Sequence, residues 1–166
     1  MMRKEKGFTL IELLIVVAII GIIAAIAIPN LLSAIQRAKQ KRAMGELRTV
    51  ATAAQSYATD ANIFPIQAAI GDMLAGTVNA DLAPDYVKVI PNPDPWDSAY
   101  QYVSAQGGTD FEVLSWGKDR ANDGATVTAF PSGYFNNLLH TQCFQNDIVW
   151  ADDGFVAIPE GKQKSC

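Results

Sequence analysis

Three sets of residues have types and spacings that could do chemistry. His140 and Cys143 lie three positions apart in Leu138-Leu139-His140-Thr141-Gln142-Cys143, a spacing that suits a base–nucleophile or metal-ligand pair. No second histidine exists to complete such a site, so His140 reads as a structural or exposed histidine. The second set is Cys143 with Cys166. In an oxidising compartment a pair tends to be a disulfide, with two free thiols as the alternative. In the chain-entropy model, closing that loop would contribute roughly 3 kcal/mol. The third is a single carboxylate, Glu12, at the start of a stretch that otherwise excludes charge. The chain has no haem-attachment motif, no phosphate-binding glycine loop and no zinc spacing. Asp152-Asp153-Gly154 reads as a turn between strands. No catalytic constellation emerges.

The element that carries Glu12 is the most distinctive in the chain. From Leu13 to Ile28 no residue is charged or hydroxylated. Residues 8–32 form an apolar run of about 25, long enough to cross a hydrocarbon layer of roughly 30 Å, and only a helix satisfies its own backbone there. Charge is divided along the chain. Up to Arg48, eight basic residues face three acidic ones, net +5; from Thr49 onward five face fourteen, net −9. A basic start and an acidic remainder argue against a nucleic-acid-binding head and fit an inside-positive membrane segment carrying an exported domain.

The residues allow three readings of this N-terminus. A secretory signal peptide would use Arg3, Lys4 and Lys6 as its basic region and Ala25-Ile26-Ala27 as a small-x-small cleavage site. Glu12 and the apolar character beyond Ala27 count against it. An uncleaved anchor would tolerate Glu12 near the headgroups. The third reading accounts for Gly7 and Glu12 together. Gly7-Phe8-Thr9-Leu10-Ile11-Glu12 resembles the processing signature of type IV pilins and type II secretion pseudopilins.

That resemblance implies cleavage after Gly7 by a prepilin peptidase, N-methylation of Phe8, and loss of residues 1–7 as a cytoplasmic leader. It also implies that the helix stays in the inner membrane until it joins a homo-oligomeric filament. In a filament core an unpaired carboxylate is costly, and the α-ammonium of Phe8 in a neighbouring subunit is the partner expected for Glu12. That pair would set the axial offset between subunits.

A long helix is expected over residues 8–60, kinked at Pro29 and with a weak point at Gly21. The resemblance allows residues 21–29 to lose helical order on assembly. Leu47, Val50, Ala51, Ala54, Tyr57 and Ala58 keep helical spacing and should pack under a head. Arg37, Lys39, Lys41 and Arg42 read as a solvated face or subunit contact, with anionic lipid or DNA as the alternative. Residues 62–65 should end the helix. A second short helix is expected over residues 65–75, stopped by Gly76. Residues 82–95 are too proline-rich for a long element. Residues 99–105 and 110–116 alternate like a hairpin around Gln106-Gly107-Gly108-Thr109. A third strand is expected at residues 149–150 or 155–158. The fold class is α+β: a long N-terminal helix packed on a small antiparallel sheet in residues 61–166.

The head has a resemblance of its own. Tyr86 to Pro91, Asp94-Pro95-Trp96-Asp97-Ser98-Ala99-Tyr100-Gln101-Tyr102 and Phe111 to Asp119 resemble the major pseudopilin family of type II secretion. Taken alone, Trp96, Tyr100, Tyr102 and Phe111 read as core. The family implies a structural calcium, here with Asp119, Asp123 and Asp147 and the carbonyls of Leu114 or Trp116 as ligands. The chain departs from the family by an insertion over residues 124–145 and by its C-terminal extension to Cys166. A disulfide there resembles the stapled loop of type IV pilins and would replace the metal as a staple. The expected function is a pseudopilus subunit working with an inner-membrane assembly platform and minor pseudopilins, its head in the periplasm. The alternatives are a type IV pilus subunit, for adhesion, motility or DNA uptake, and a monomeric membrane-anchored binding module.

Overall fold

A computed structural model describes residues 7–121, 139–152 and 154–164. Its first element is a helix, α1, over Leu10–Ala61. Two compact units divide it at Ile35 and Gln36. In the first, the helix exposes Ile, Leu and Val on every side, and its most apolar window buries nothing in its own chain. Pro29 does not end the helix. Nearby, Asn30 Nδ2 donates to the Ile26 carbonyl at 3.0 Å and Ser33 Oγ to the Pro29 carbonyl at 3.1 Å, adding bonds where the proline lacks its N–H.

In the second unit the helix turns amphipathic. Gln40, Ala43, Leu47, Val50, Ala51, Ala53 and Ala54 are buried, and the small side chains let a sheet approach closely. Among the described residues that sheet has six strands: β1 (Gly71–Asp72), β2 (Gln101–Ser104), β3 (Phe111–Ser115), β4 (Leu139–Cys143), β5 (Ile148–Ala151) and β6 (Gly154–Lys164), in the order β1-β2-β3-β5-β6-β4. The helix core residues pack with Tyr100, Tyr102, Phe111, Val113, Ile148 and Trp150. The α+β class holds, with one difference: the sheet is mixed, because β4 pairs parallel to β6 while the other pairs are antiparallel. The C-terminal strand inserts between β5 and β4, and this forces the parallel neighbour.

The expected hairpin is β2–β3, with Tyr102 opposite Val113. Both regions proposed for a third strand are strands, β5 and β6, with a turn at Asp152 after β5. The short helix expected over residues 65–75 does not form. Its polar groups go to the sheet instead: the Gln67 amide donates to Ser104 Oγ, Gln67 Nε2 to the Gly71 and Tyr102 carbonyls, and the Met73 amide to the Tyr100 carbonyl. Two of its residues become β1, and the helix, α2, lies later at Val78–Leu82. Tertiary hydrogen bonds here outweigh local propensity.

Candidate functional site

The N-terminal site begins with an uncrowded Gly7, around whose Cα a side chain would meet nothing within 4 Å. Phe8 is 77% exposed. Helix α1 then starts on a reciprocal cap. The Thr9 amide and hydroxyl both donate to Glu12 Oε2, at 2.8 and 2.7 Å, and the Glu12 amide donates to Thr9 Oγ1 at 3.3 Å. This is a capping box, which satisfies donors that a helix start otherwise leaves unpaired. Glu12 therefore has a local partner within one chain. The T-x-x-E spacing is a helix-start signal legible in the sequence.

The head's aromatic motif is a brace between α1 and the sheet. Asp94 is buried. Its Oδ1 accepts from the Trp96 and Ser98 amides at 2.9 and 2.8 Å, and its Oδ2 from Ser115 Oγ on β3 at 2.6 Å. Trp96 Nε1 donates to Gln36 Oε1 at 2.8 Å, and the Tyr100 hydroxyl to Glu46 Oε2 at 2.5 Å. Glu46 Oε1 takes Arg42 Nε at 2.7 Å. Burial, then the Glu46 hydrogen bond, pushes the Tyr100 phenol well above the usual tyrosine range, and burial does the same to Tyr102. Tyr102 donates to the Pro65 carbonyl at 3.1 Å, tying the chain after α1 to β2. All four aromatics read as core, Trp96, Tyr100, Tyr102 and Phe111, are buried.

Of the calcium ligands named from the sequence, Leu114 is buried in β3, Trp116 packs beside it, and Asp147 is fully buried before β5. Asp119 is exposed and accepts the Ala121 amide on Oδ1 at 3.1 Å. Asp123 lies outside the described residues. Among the described residues, a set that does not include Asp123, no three histidine, cysteine or acidic side chains converge as a metal site. Gly117 does bring the two segments together. It has a φ of 72°, and a side-chain carbon there would sit 2.5 and 2.6 Å from the Asn146 and Gln145 carbonyls. Cys143 ends β4 opposite Lys164 of β6; Cys166 lies outside the described residues.

Of the basic cluster, Arg37, Lys41 and Arg42 are exposed, and Arg42 is held by Glu46. Arg48 lies farther along α1, its guanidinium 5.5 Å from the Trp150 ring centroid, a cation–π distance. Sequence reading missed this contact because it depends on how β5 packs against α1.

An apolar helix with no partner in its own chain, opened by a capped carboxylate and followed by a small α+β head, defines a pilin-like protein. Residues 2–28 match the family described as Prokaryotic N-terminal methylation motif, and residues 30–130 match Type II secretion system protein G. The Type II secretion system core protein G of Vibrio cholerae is 32% identical over 143 residues, covering 81% of this chain and 94% of that protein. That of Pseudomonas aeruginosa is 32% identical over 132 residues, covering 74% and 90%. The Type IV major pilin protein PilA of Myxococcus xanthus is 56% identical over 54 residues, 32% of this chain and 24% of that protein. The chain belongs to the type II secretion system protein G family. It is a structural pseudopilin, not an enzyme, and its long apolar N-terminal helix fits an inner-membrane-anchored protein.

Proposed function

We propose that this chain is the subunit that polymerises through residues 8–32 into a type II secretion pseudopilus, which assists protein export. One observation carries the reading: the first 26 residues of α1 expose an apolar surface on every side, while the head beyond them is fully cored. A surface of that kind is stable in lipid or among other helices, and not in water. The family match across the head favours the pseudopilus over the type IV pilus, whose sampled relative covers about a third of the chain.

Prepilin peptidase cuts after Gly7 and methylates Phe8; the head faces the periplasm, and assembly uses the inner-membrane platform and minor pseudopilins. Glu12 leaves its Thr9 cap to meet the Phe8 α-ammonium of a neighbour. Intact mass tests this step. Loss of Met1 to Gly7 with gain of one methyl is expected, and a full-length N-terminus would instead indicate a monomeric anchored module.

Two features of the head belong to the same proposal. Cys143 and Cys166 form a disulfide; in support, Cys143 sits opposite Lys164, two residues before Cys166, and no described cysteine is free. A calcium ion held by Asp119, Asp123 and Asp147 with the Leu114 or Trp116 carbonyl is the second. Metal content of the purified protein with and without chelator tests it, and an unchanged melting temperature on calcium removal would reject it.

A further inference from the structure

Helix α1 carries one glycine in its head-facing half, Gly45. A glycine inside a helix costs about 1 kcal/mol relative to alanine, a cost that a contact needing the side chain to be missing would offset. Among the described residues none does: Gly45 is exposed, and a side-chain carbon there would meet nothing within 4 Å. It instead floors a surface depression of about 250 Å³, lined by Lys41, Met44, Arg48 and Phe155. Met44 and Phe155 are its apolar walls, and the two cations stand about two turns apart on either side of the glycine. Neither cation has a carboxylate partner among the described residues.

The other side of the head shows the complementary surface. Residues 63–74 lead into and out of edge strand β1, and there Ile63, Ile66, Ile70 and Leu74 are 37% to 47% exposed. No basic residue interrupts this stretch. Its one carboxylate, Asp72, uses Oδ1 on the Leu74 amide at 2.8 Å and has no cation among the described residues. Four part-exposed apolar side chains on one short segment offer an interaction surface.

We propose that the Gly45 depression receives the apolar 63–74 segment of a second copy of this chain, with Asp72 lying between Lys41 and Arg48. The charges match, and the missing side chain at Gly45 is what lets another backbone approach. The topology selects a repeating contact. The patch flanks β1, at one edge of the sheet, whereas the depression lies on α1 where Phe155 of β6, the strand next to the opposite edge, meets it. Two different surfaces on opposite sides of a molecule make a heterologous contact, which propagates as an open helical array. The inference rests on the filament reading above and adds a head-to-head contact to it.

Cysteine pairing in filaments of the full-length chain, made with its assembly system, tests this contact. Filaments of Gly45→Cys/Ile70→Cys, oxidised after assembly, are expected to give a covalent ladder beyond the dimer, and either single variant is not. Wild-type filaments with no ladder from the double variant would overturn this contact and leave the filament reading standing. Failure of the processed wild-type chain to form filaments would overturn both. Gly45→Leu fills the depression while favouring the helix. It should leave the melting temperature unchanged or raised and lower filament yield about tenfold or more, equivalent to about 1.4 kcal/mol of contact energy. A wild-type yield from Gly45→Leu would also overturn the contact.

Discussion

Single residues of this protein act through geometry more than through chemistry. Gly117 is the clearest case. Its left-handed backbone and the Asn146 and Gln145 carbonyls against it leave no room for a side chain. Gly117→Ala is expected to destabilise the head by about 1–3 kcal/mol, the usual cost of a strained non-glycine conformation, read as a lower midpoint in urea with an unchanged slope. Thr9 is a second case. Thr9→Val keeps the size of the side chain and removes the hydroxyl that closes the cap with Glu12. Faster amide exchange over the first turn of α1 is expected, without loss of membrane insertion, since the cap is worth only about 0.5–2 kcal/mol. Residue types with one dominant use were legible in the sequence: Glu12 as an isolated carboxylate, Trp96 and the tyrosines as core. Gly117 and Gly45 were not, because a glycine's reason lies in what stands beside it or is missing beside it.

At the scale of elements, α1 was legible because its apolar run and helical spacing leave no other structure open, and β2–β3 because alternation and a double glycine mark a hairpin. The segment at residues 65–75 was not, since its helical pattern is overridden by bonds to Ser104 and Tyr100 that are distant in sequence. β4 was missed for a similar reason: it is an edge strand whose partner, β6, lies beyond β5. What holds α1 to the sheet is a buried stripe with two tyrosines beneath it. Leu47 is completely buried in that stripe. Leu47→Ala should cost about 2–5 kcal/mol, measured by denaturant unfolding of the detergent-solubilised chain. The tyrosines add a pH dependence. Both phenols are pushed above their ordinary value of about 10 in the folded head. Their contribution is therefore complete below that value and is lost as pH rises beyond it. Melting temperature should fall as pH passes about 10, and Tyr100→Phe should flatten that fall. A profile identical to wild type would show that Tyr100 is not the group being titrated.

Across the whole molecule, the two units of the chain meet different surroundings. None of the described residues up to Ile35 is buried in its own chain, whereas the head buries its core conventionally. A polymer resolves this imbalance by supplying each apolar helix with copies of itself, and Glu12 is the one side chain in that surface whose burial needs a specific partner. The Thr9 cap makes the charge separable from the hydrogen bonds. Glu12→Gln keeps an oxygen able to accept from Thr9 and removes the negative charge; Glu12→Ala removes both. If Glu12 matters for its charge, as pairing with a neighbour's α-ammonium requires, both variants should be processed and inserted normally while filament yield falls at least tenfold, equivalent to about 1.4 kcal/mol. If Glu12 matters only as a cap, Glu12→Gln should assemble like wild type and Glu12→Ala should lose helix order at its first turn. Filament yield of the two variants, measured beside amide exchange at Thr9 to Leu13, separates the outcomes. Normal filaments from Glu12→Gln would remove the charge pair as the device that sets subunit offset.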